Sequence, residues 1–198
     1  MDLRAVIFDM DGTVVDTPYD WVQIKQELQT DGRPILHYLS TLSEPERSRK
    51  WAILEEIEKK ATSRAKLMPG IPEFLEFLRG QEIRTALVTN NSILNVNILL
   101  EKFRLRFETV LAREDGLWKP SGDSFLEVMR RFGINREECC AVGDSQFDLL
   151  AAQDAGLACF FLVCPEPDSF RDSGAVVCRS IPEVHCHLKK KLETAAPE

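Results

Sequence analysis

Short apolar runs at Leu3–Phe8, Ile83–Thr89, Thr109–Ala112, Cys139–Gly143 and Ala158–Val163 alternate with segments of helical period. This alternation admits few folds. Each run is too short to be a core helix, and the run at 83–89 is continuously apolar, as a strand buried on both faces must be. Helical crossovers between successive strands make those strands parallel. A shorter sixth run lies at Ala175–Cys178. The expected fold class is therefore α/β, a parallel sheet covered by helices.

The helical segments carry their own signals. Pro72–Arg79 starts on a proline, carries Phe74, Leu75 and Leu78 on one side and stops at Gly80. Ser92–Lys102 follows the second strand. Asp123–Phe132 places Phe125, Val128, Met129 and Phe132 on one face and ends at Gly133. Gln146–Ala155, with Phe147, Leu150 and Ala151 expected inward, ends at Gly156. The tail Thr194–Glu198 is expected to fray.

One stretch breaks the pattern. From Thr17 to Leu67 there is no strand signal, while Trp21, Ile24 and Leu28, then Trp51, Leu54 and Ile57, recur at helical spacing. The turn Asp31-Gly32-Arg33-Pro34 divides the stretch and Met68-Pro69-Gly70 closes it. A chain of 198 residues supports one full core and a small insert. The expected division is a core of residues 1–16 and 68–198 with a small helical insert at 17–67.

Composition excludes several classes. With a net charge of −7, the chain as a whole is a poor match for nucleic acid. No apolar run reaches the roughly 20 residues that span a bilayer. Met1-Asp2-Leu3-Arg4 runs directly into the first strand, so no signal peptide is expected. The six cysteines include no Cys-x-x-Cys pair, and Cys139, Cys140, Cys159 and Cys164 lie in apolar stretches, which is the pattern of reduced, buried thiols in the cytoplasm. His185-Cys186-His187 reads as a surface helix rather than a metal cluster, because adjacent helical residues point different ways.

Chemistry-bearing motifs fall at or just beyond the strand ends, where open α/β sheets bind ligands. They are Asp9-Met10-Asp11-Gly12, Val88-Thr89-Asn90-Asn91, Trp118-Lys119-Pro120 and Gly143-Asp144-Ser145-Gln146-Phe147-Asp148. Singly, each is also an ordinary turn or helix cap. Together, in this order, they are not.

The series FDMDGTVVDT, VTNN, WKP and GDSQFD resembles the haloacid dehalogenase superfamily of hydrolases, and within it the capped phosphatases similar to phosphoglycolate phosphatase. The resemblance spans roughly residues 3 to 165. It implies a Rossmann-like core of strand order 5-4-1-2-3, with residues 17–67 as a mobile cap, and it implies a phosphate-ester hydrolase using Mg²⁺. On this likeness Asp9 is the nucleophile that forms an aspartyl-phosphate. Asp11 is the general acid and then the base. Thr89 and the Asn90 backbone hold phosphate oxygens, and Lys119 neutralises charge beside the nucleophile. The metal is held by Asp9, Asp144 and the Asp11 carbonyl, with Asp148 in support.

Elementary electrostatics asks for the same residue types. Ionised carboxylates about 4 Å apart repel by roughly 4 kcal/mol per pair at an effective dielectric near 20, so a phosphate dianion reaches one of them only if cations cancel the field. Oxygen ligands favour Mg²⁺ over zinc. An acid such as Asp11 must keep its proton well above the aspartate pKa of about 3.9, whereas the nucleophile must not. Dehalogenating members of the family usually lack the second aspartate, so Asp11 favours phosphate esters. Pro120 is expected to extend Lys119 from its loop, and Gly122, where the family usually has a second proline, is expected to change only loop stiffness.

The substrate expected is a small-molecule phosphate ester, with no nucleic acid or membrane partner. Arg33, His37, Tyr38, Arg49 and Lys50 are possible substrate contacts, each more readily explained as part of a solvated helix face. Trp21 and Trp51 are expected in the core of the insert. The alternatives are a phosphomutase built on the same core and a non-catalytic binding protein that keeps the fold. The leaving group and the oligomeric state are not legible.

Overall fold

The computed structural model describes residues 2–165, 170 and 173–194. Its strands are β1 (Ala5–Phe8), β2 (Val15–Asp16), β3 (Lys66–Leu67), β4 (Arg84–Val88), β5 (Thr109–Leu111), β6 (Cys139–Gly143), β7 (Phe160–Val163) and β8 (Val176–Cys178). Its α-helices are α1 (Trp21–Glu27), α2 (Ile35–Thr41), α3 (Glu46–Arg64), α4 (Ile71–Gly80), α5 (Ile93–Phe103), α6 (Asp123–Phe132), α7 (Gln146–Asp154) and α8 (Ile181–Glu193).

Six strands form one sheet in the order β5-β4-β1-β6-β7-β8, with every pairing parallel. The five longer apolar runs thus take the order 5-4-1-2-3, and the sixth run extends the sheet beyond the fifth. β1 sits at the centre because the chain crosses first to β4 on one side and later to β6 on the other. The ends of β1 and β6 therefore flank the crevice at which such sheets bind ligands.

Side chains alternate across the sheet, so each strand feeds two cores. Val6 and Phe8 pack with Phe74, Leu87, Phe161 and Val184 on the face covered by α4, α5 and α8. Ala5 and Ile7 pack with Ala86, Phe125, Val128 and Ala141 on the face covered by α6 and α7. α6 buries Phe125, Val128, Met129 and Phe132, as its periodicity predicts. In α7 the expected face is only partly right. Asp148, Leu149, Ala151 and Ala152 are buried, while Leu150 is exposed and Phe147 lies at the edge of a cavity. The apolar positions of α7 run nearly all round the helix, so period alone does not choose the inward side.

The stretch from 17 to 67 holds α1, α2 and α3, whose Ile24, Leu28, Leu36, Leu39 and Leu54 form a separate apolar cluster. Its base is not purely helical. Val15 pairs with Leu67 and Asp16 with Lys66 in a short antiparallel ribbon, too brief to leave a periodic trace. Lys50 and Tyr38 are buried rather than solvated, with Lys50 Nζ donating to the Leu28 carbonyl at 2.7 Å and to the Tyr38 hydroxyl at 2.6 Å. Both belong to the insert's own packing. Trp51 is half-buried against that cluster, as expected, but Trp21 is 49% exposed.

Gly122 has a larger role than loop stiffness. A Cβ there would meet the backbone of Asp154 and Ala155 at 2.9 and 2.5 Å, and its N–H donates to the Asp154 carboxylate at 2.7 Å. The glycine lets the Lys119 loop lie against the end of α7. The Lys119–Pro120 peptide bond is cis. The tail expected to fray lies, beyond Thr194, outside the described residues.

Candidate active site

Asp9 is the first residue past β1, and its N–H donates to the Val142 carbonyl at 2.9 Å. That bond continues the β1–β6 ladder and points the end of β1 toward Asp144, the first residue past β6. Gly12 turns the chain at φ +93°, and a Cβ there would fall inside the Asp144 carboxylate. Only glycine allows this approach of the first loop to the fourth.

Asp9, Asp144 and Asp148 each offer a carboxylate oxygen within 4.8 Å of the others. Asp148 is fixed by helix capping. Its Oδ2 accepts from the Ser145 N–H at 3.1 Å and the Ser145 hydroxyl at 2.5 Å, while Ser145 Oγ accepts the Asp148 N–H. Lys119 supplies the balancing charge. Its ammonium donates to Asp9, to Asp148 Oδ1 at 2.5 Å and to the Val88 carbonyl at 3.1 Å. Asn90 holds this lysine in place by pairing both ends of its amide with the Lys119 backbone, at 2.9 and 3.0 Å.

The charges explain the titration behaviour. Burial, then the Asp148 charge, pushes the Asp9 pKa well above the usual carboxylate range, against the pull of Lys119. Burial and Asp148 push Asp144 up to about 7. Burial opposes the charge on Lys119, but Asp148 and Asp9 outweigh it and hold its pKa above the ordinary lysine value. Three carboxylates against one ammonium leave this cluster short of positive charge. The all-oxygen donor set suits a hard divalent cation.

Asp11 lies outside the three-carboxylate group and has a different environment. Its Oδ2 accepts from Asn91 Nδ2 at 3.0 Å, and its buried Oδ1 has no hydrogen-bond partner among the described residues. Burial raises its pKa, and the hydrogen bond from Asn91 opposes the rise. Asn91 also donates to the Tyr19 hydroxyl at 3.0 Å and accepts from the Ser92 N–H and from Asn95. Thr89 is buried, and its hydroxyl oxygen accepts the Asn91 N–H at 3.1 Å, which leaves the hydroxyl hydrogen to donate elsewhere.

Residues 23–162 match the haloacid dehalogenase-like hydrolase family. The chain belongs to this family. The hydrolase is 30% identical over 191 residues to a haloacid dehalogenase-like hydrolase domain-containing protein of Arabidopsis thaliana, covering 87% of this chain and 77% of the relative. It is 28% identical over 184 residues to phosphoglycolate phosphatase 1 of Pseudomonas aeruginosa, covering 79% and 68%. Among solved structures, a hydrolase from Pseudomonas syringae superposes with a TM-score of 0.77 at 22% identity, covering 94% of this chain and 98% of that one. A subfamily IA hydrolase of the superfamily from Geobacter sulfurreducens superposes with a TM-score of 0.65 at 22% identity, covering 96% and 97%. These two likenesses concern the fold.

All six site residues read from the motifs (Asp9, Asp11, Thr89, Lys119, Asp144 and Asp148) line or abut one cavity of about 670 Å³, and Asn90 lines it too. The motifs did not single out Asn91 as the partner of Asp11, although it stands in the quoted VTNN. They also missed the buried Arg113–Glu58 pair, which joins the loop after β5 to α3 through two hydrogen bonds, one of them at 3.1 Å. An arginine just past the third strand was the available signal. Its partner, 55 positions away, left none. His37 lines the cavity from an exposed position.

The His185-Cys186-His187 run is not a cluster. His185 stacks on Phe74 at 5.2 Å and Cys186 is exposed. His187 instead comes near Glu183 and Cys178, and Glu183 also accepts the Arg179 N–H at 2.6 Å at the start of α8. Among the described residues, no helix is long and apolar enough to cross a membrane.

Proposed function

We propose that this hydrolase is a Mg²⁺-dependent phosphatase of small phosphorylated metabolites that works through an aspartyl-phosphate on Asp9. The observation that carries this reading is the convergence of the Asp9, Asp144 and Asp148 carboxylates, two of them paired with Lys119, beside a separately held Asp11. Its kinship with phosphoglycolate phosphatase 1 of P. aeruginosa supports the same class.

Asp9 attacks phosphorus while Lys119 and the Thr89 hydroxyl hold the phosphoryl oxygens, with the Asn90 backbone alongside. Asp11, whose pKa burial raises, gives its proton to the leaving oxygen. The same carboxylate then takes a proton from the water that opens the phospho-aspartate. Asn91 aims Asp11 at both steps. Asp9, Asp144 and the Asp11 carbonyl, with Asp148 in support, would hold Mg²⁺, which would supply the remaining positive charge. The helices of 17–67 act as the cap over the site, excluding water and reading the leaving group. A screen of phosphate esters with and without Mg²⁺ tests the reading. Metal-dependent release of inorganic phosphate is expected. Return of the phosphoryl group to a sugar would favour a mutase, and no turnover of any ester would favour a binding protein.

A pH prediction follows from the raised carboxylates. A group whose folded pKa exceeds its unfolded value stabilises the fold below the unfolded pKa and loses that contribution as pH rises through the folded one. For Asp144 the window runs from about 4 in the unfolded chain to about 7. The melting temperature without metal is therefore expected to fall between pH 5 and pH 8, by about 2–4 °C for each kcal/mol lost. Mg²⁺ binds the ionised form, so it should raise the melting temperature more at pH 8 than at pH 5. Thermal melts at both pH values, with and without Mg²⁺, check this. A metal effect larger at pH 5 would contradict the assigned cation site.

A further inference from the structure

The cavity beyond Asp9 is far larger than a phosphate, and much of its wall is aromatic and apolar. Tyr19, Trp21, Ile35, Leu54, Trp118 and Phe147 line it between the core and the helical insert. Trp21 is not packed away in the insert. It is half exposed and lies against Tyr19 with ring centroids 4.6 Å apart. Trp118 is oriented by its indole N–H, which donates to the Arg113 carbonyl at 2.7 Å.

The two buried cations of this cavity are already engaged. Lys119 is paired with Asp9 and Asp148. The Arg113 guanidinium is paired through both terminal nitrogens with Glu58, its Nε donates to the Asn90 carbonyl at 3.1 Å, and its flat face lies 5.2 Å from the Trp51 ring centroid. These are the buried basic residues among the described lining residues. Lys25, half-buried, and His37, exposed, line the same cavity, and Lys25 also borders an outer groove with Val22, Gln26 and Asp31.

A two-carbon acid phosphate carries its carboxylate within a few bonds of phosphorus. In this cavity that carboxylate would meet largely apolar walls and a buried arginine already neutralised by Glu58, with only the less buried Lys25 and His37 uncommitted. Burying an unpaired carboxylate is strongly unfavourable. An uncharged flat ring meets the opposite conditions, because aromatic walls stack on any π-face and need no charge from it.

Building on the phosphatase reading, we propose that the leaving group is an alcohol bearing a planar ring of no net charge, of the nucleoside or pyridine type, seated against the aromatic wall that Trp21 and Trp118 provide. Such a substrate presents its phosphate to Asp9 and its ring to the insert.

The full chain with Mg²⁺ is assayed on adenosine 5′-monophosphate and pyridoxal 5′-phosphate against phosphoglycolate and glycerol phosphate. A kcat/KM at least about 100-fold higher for one of the ring esters is expected. Trp21→Ala should cut that preference at least tenfold through KM, and Trp21→Phe should restore most of it. Preference for phosphoglycolate, or a Trp21→Ala effect confined to kcat, overturns the proposal. A binding measurement keeps it separate from the phosphatase reading. Asp9→Asn chain is titrated calorimetrically with the ring monophosphates and with phosphoglycolate, again with Mg²⁺. If no ester is hydrolysed, the phosphatase reading fails, and saturable binding of a ring monophosphate that Trp21→Ala weakens tenfold still upholds the ring site. Equal or tighter binding of phosphoglycolate, or no saturable binding, overturns it.

Discussion

Asp9→Asn is expected to lower phosphate release by about 10⁴-fold or more, the scale on which loss of a nucleophile acts, with little change in melting temperature. The amide has the shape of the carboxylate but cannot attack phosphorus. Its effect on stability is a balance of two terms. The substitution removes one ion pair to Lys119, yet Lys119 keeps its 2.5 Å bond to Asp148. It also removes a buried negative charge from a group in which Asp148 and Asp144 both disfavour ionisation of Asp9. Repulsion between such charges is several kcal/mol at an effective dielectric near 20, similar in size to the attraction lost. A site arranged to react is one that stability alone would not select, and neutralising its proposed nucleophile is expected to leave the fold intact or firmer. Phosphate release and thermal melts of the two chains check both halves. Activity within tenfold of the unaltered chain would mean that another group performs the attack.

Much of this site was legible because its residues stand where strands end. Asp9, Thr89 and Asp144 follow apolar runs directly, and the parallel order of β4, β1 and β6 brings those ends together without help from side chains. Lys119 was legible for its place beyond the third strand, although the grip of Asn90 on its backbone was not. What escaped depends on pairs far apart in the chain. Glu58 is one acidic residue among several on α3, and nothing local marks it as the partner of Arg113. Lys50 is a surface residue by composition, and only the carbonyl of Leu28 and the hydroxyl of Tyr38 make its burial tolerable. Trp21 was misplaced for the converse reason. Helical spacing identifies an apolar stripe, but not whether the stripe faces the insert's own core or the cavity beside it. The two-residue strands β2 and β3 are shorter than any period can register.

Buried Lys119 is paired with two carboxylates at once, so Lys119→Met should be the most destabilising change at the site. Methionine fills a similar volume but leaves Asp9 and Asp148 buried and facing each other without a counter-charge. Breaking a buried ion pair from one side costs about 3–5 kcal/mol, which for a chain of this size lowers the melting temperature by roughly 10 °C. Part of that loss is recoverable in two ways. Protonation relieves the repulsion, so the variant should lie closer to the unaltered chain at pH 5 than at pH 8. A divalent cation among the same carboxylates supplies the missing charge, so millimolar Mg²⁺ at pH 8 should stabilise the variant more than the unaltered chain. Turnover should not return with stability, because the phosphoryl oxygens have lost the ammonium beside Asp9. Melts across pH and Mg²⁺ concentration, run alongside phosphate release, separate these effects. A variant as stable as the unaltered chain at pH 8 without metal would show that Asp9 and Asp148 do not share a buried, charge-deficient site.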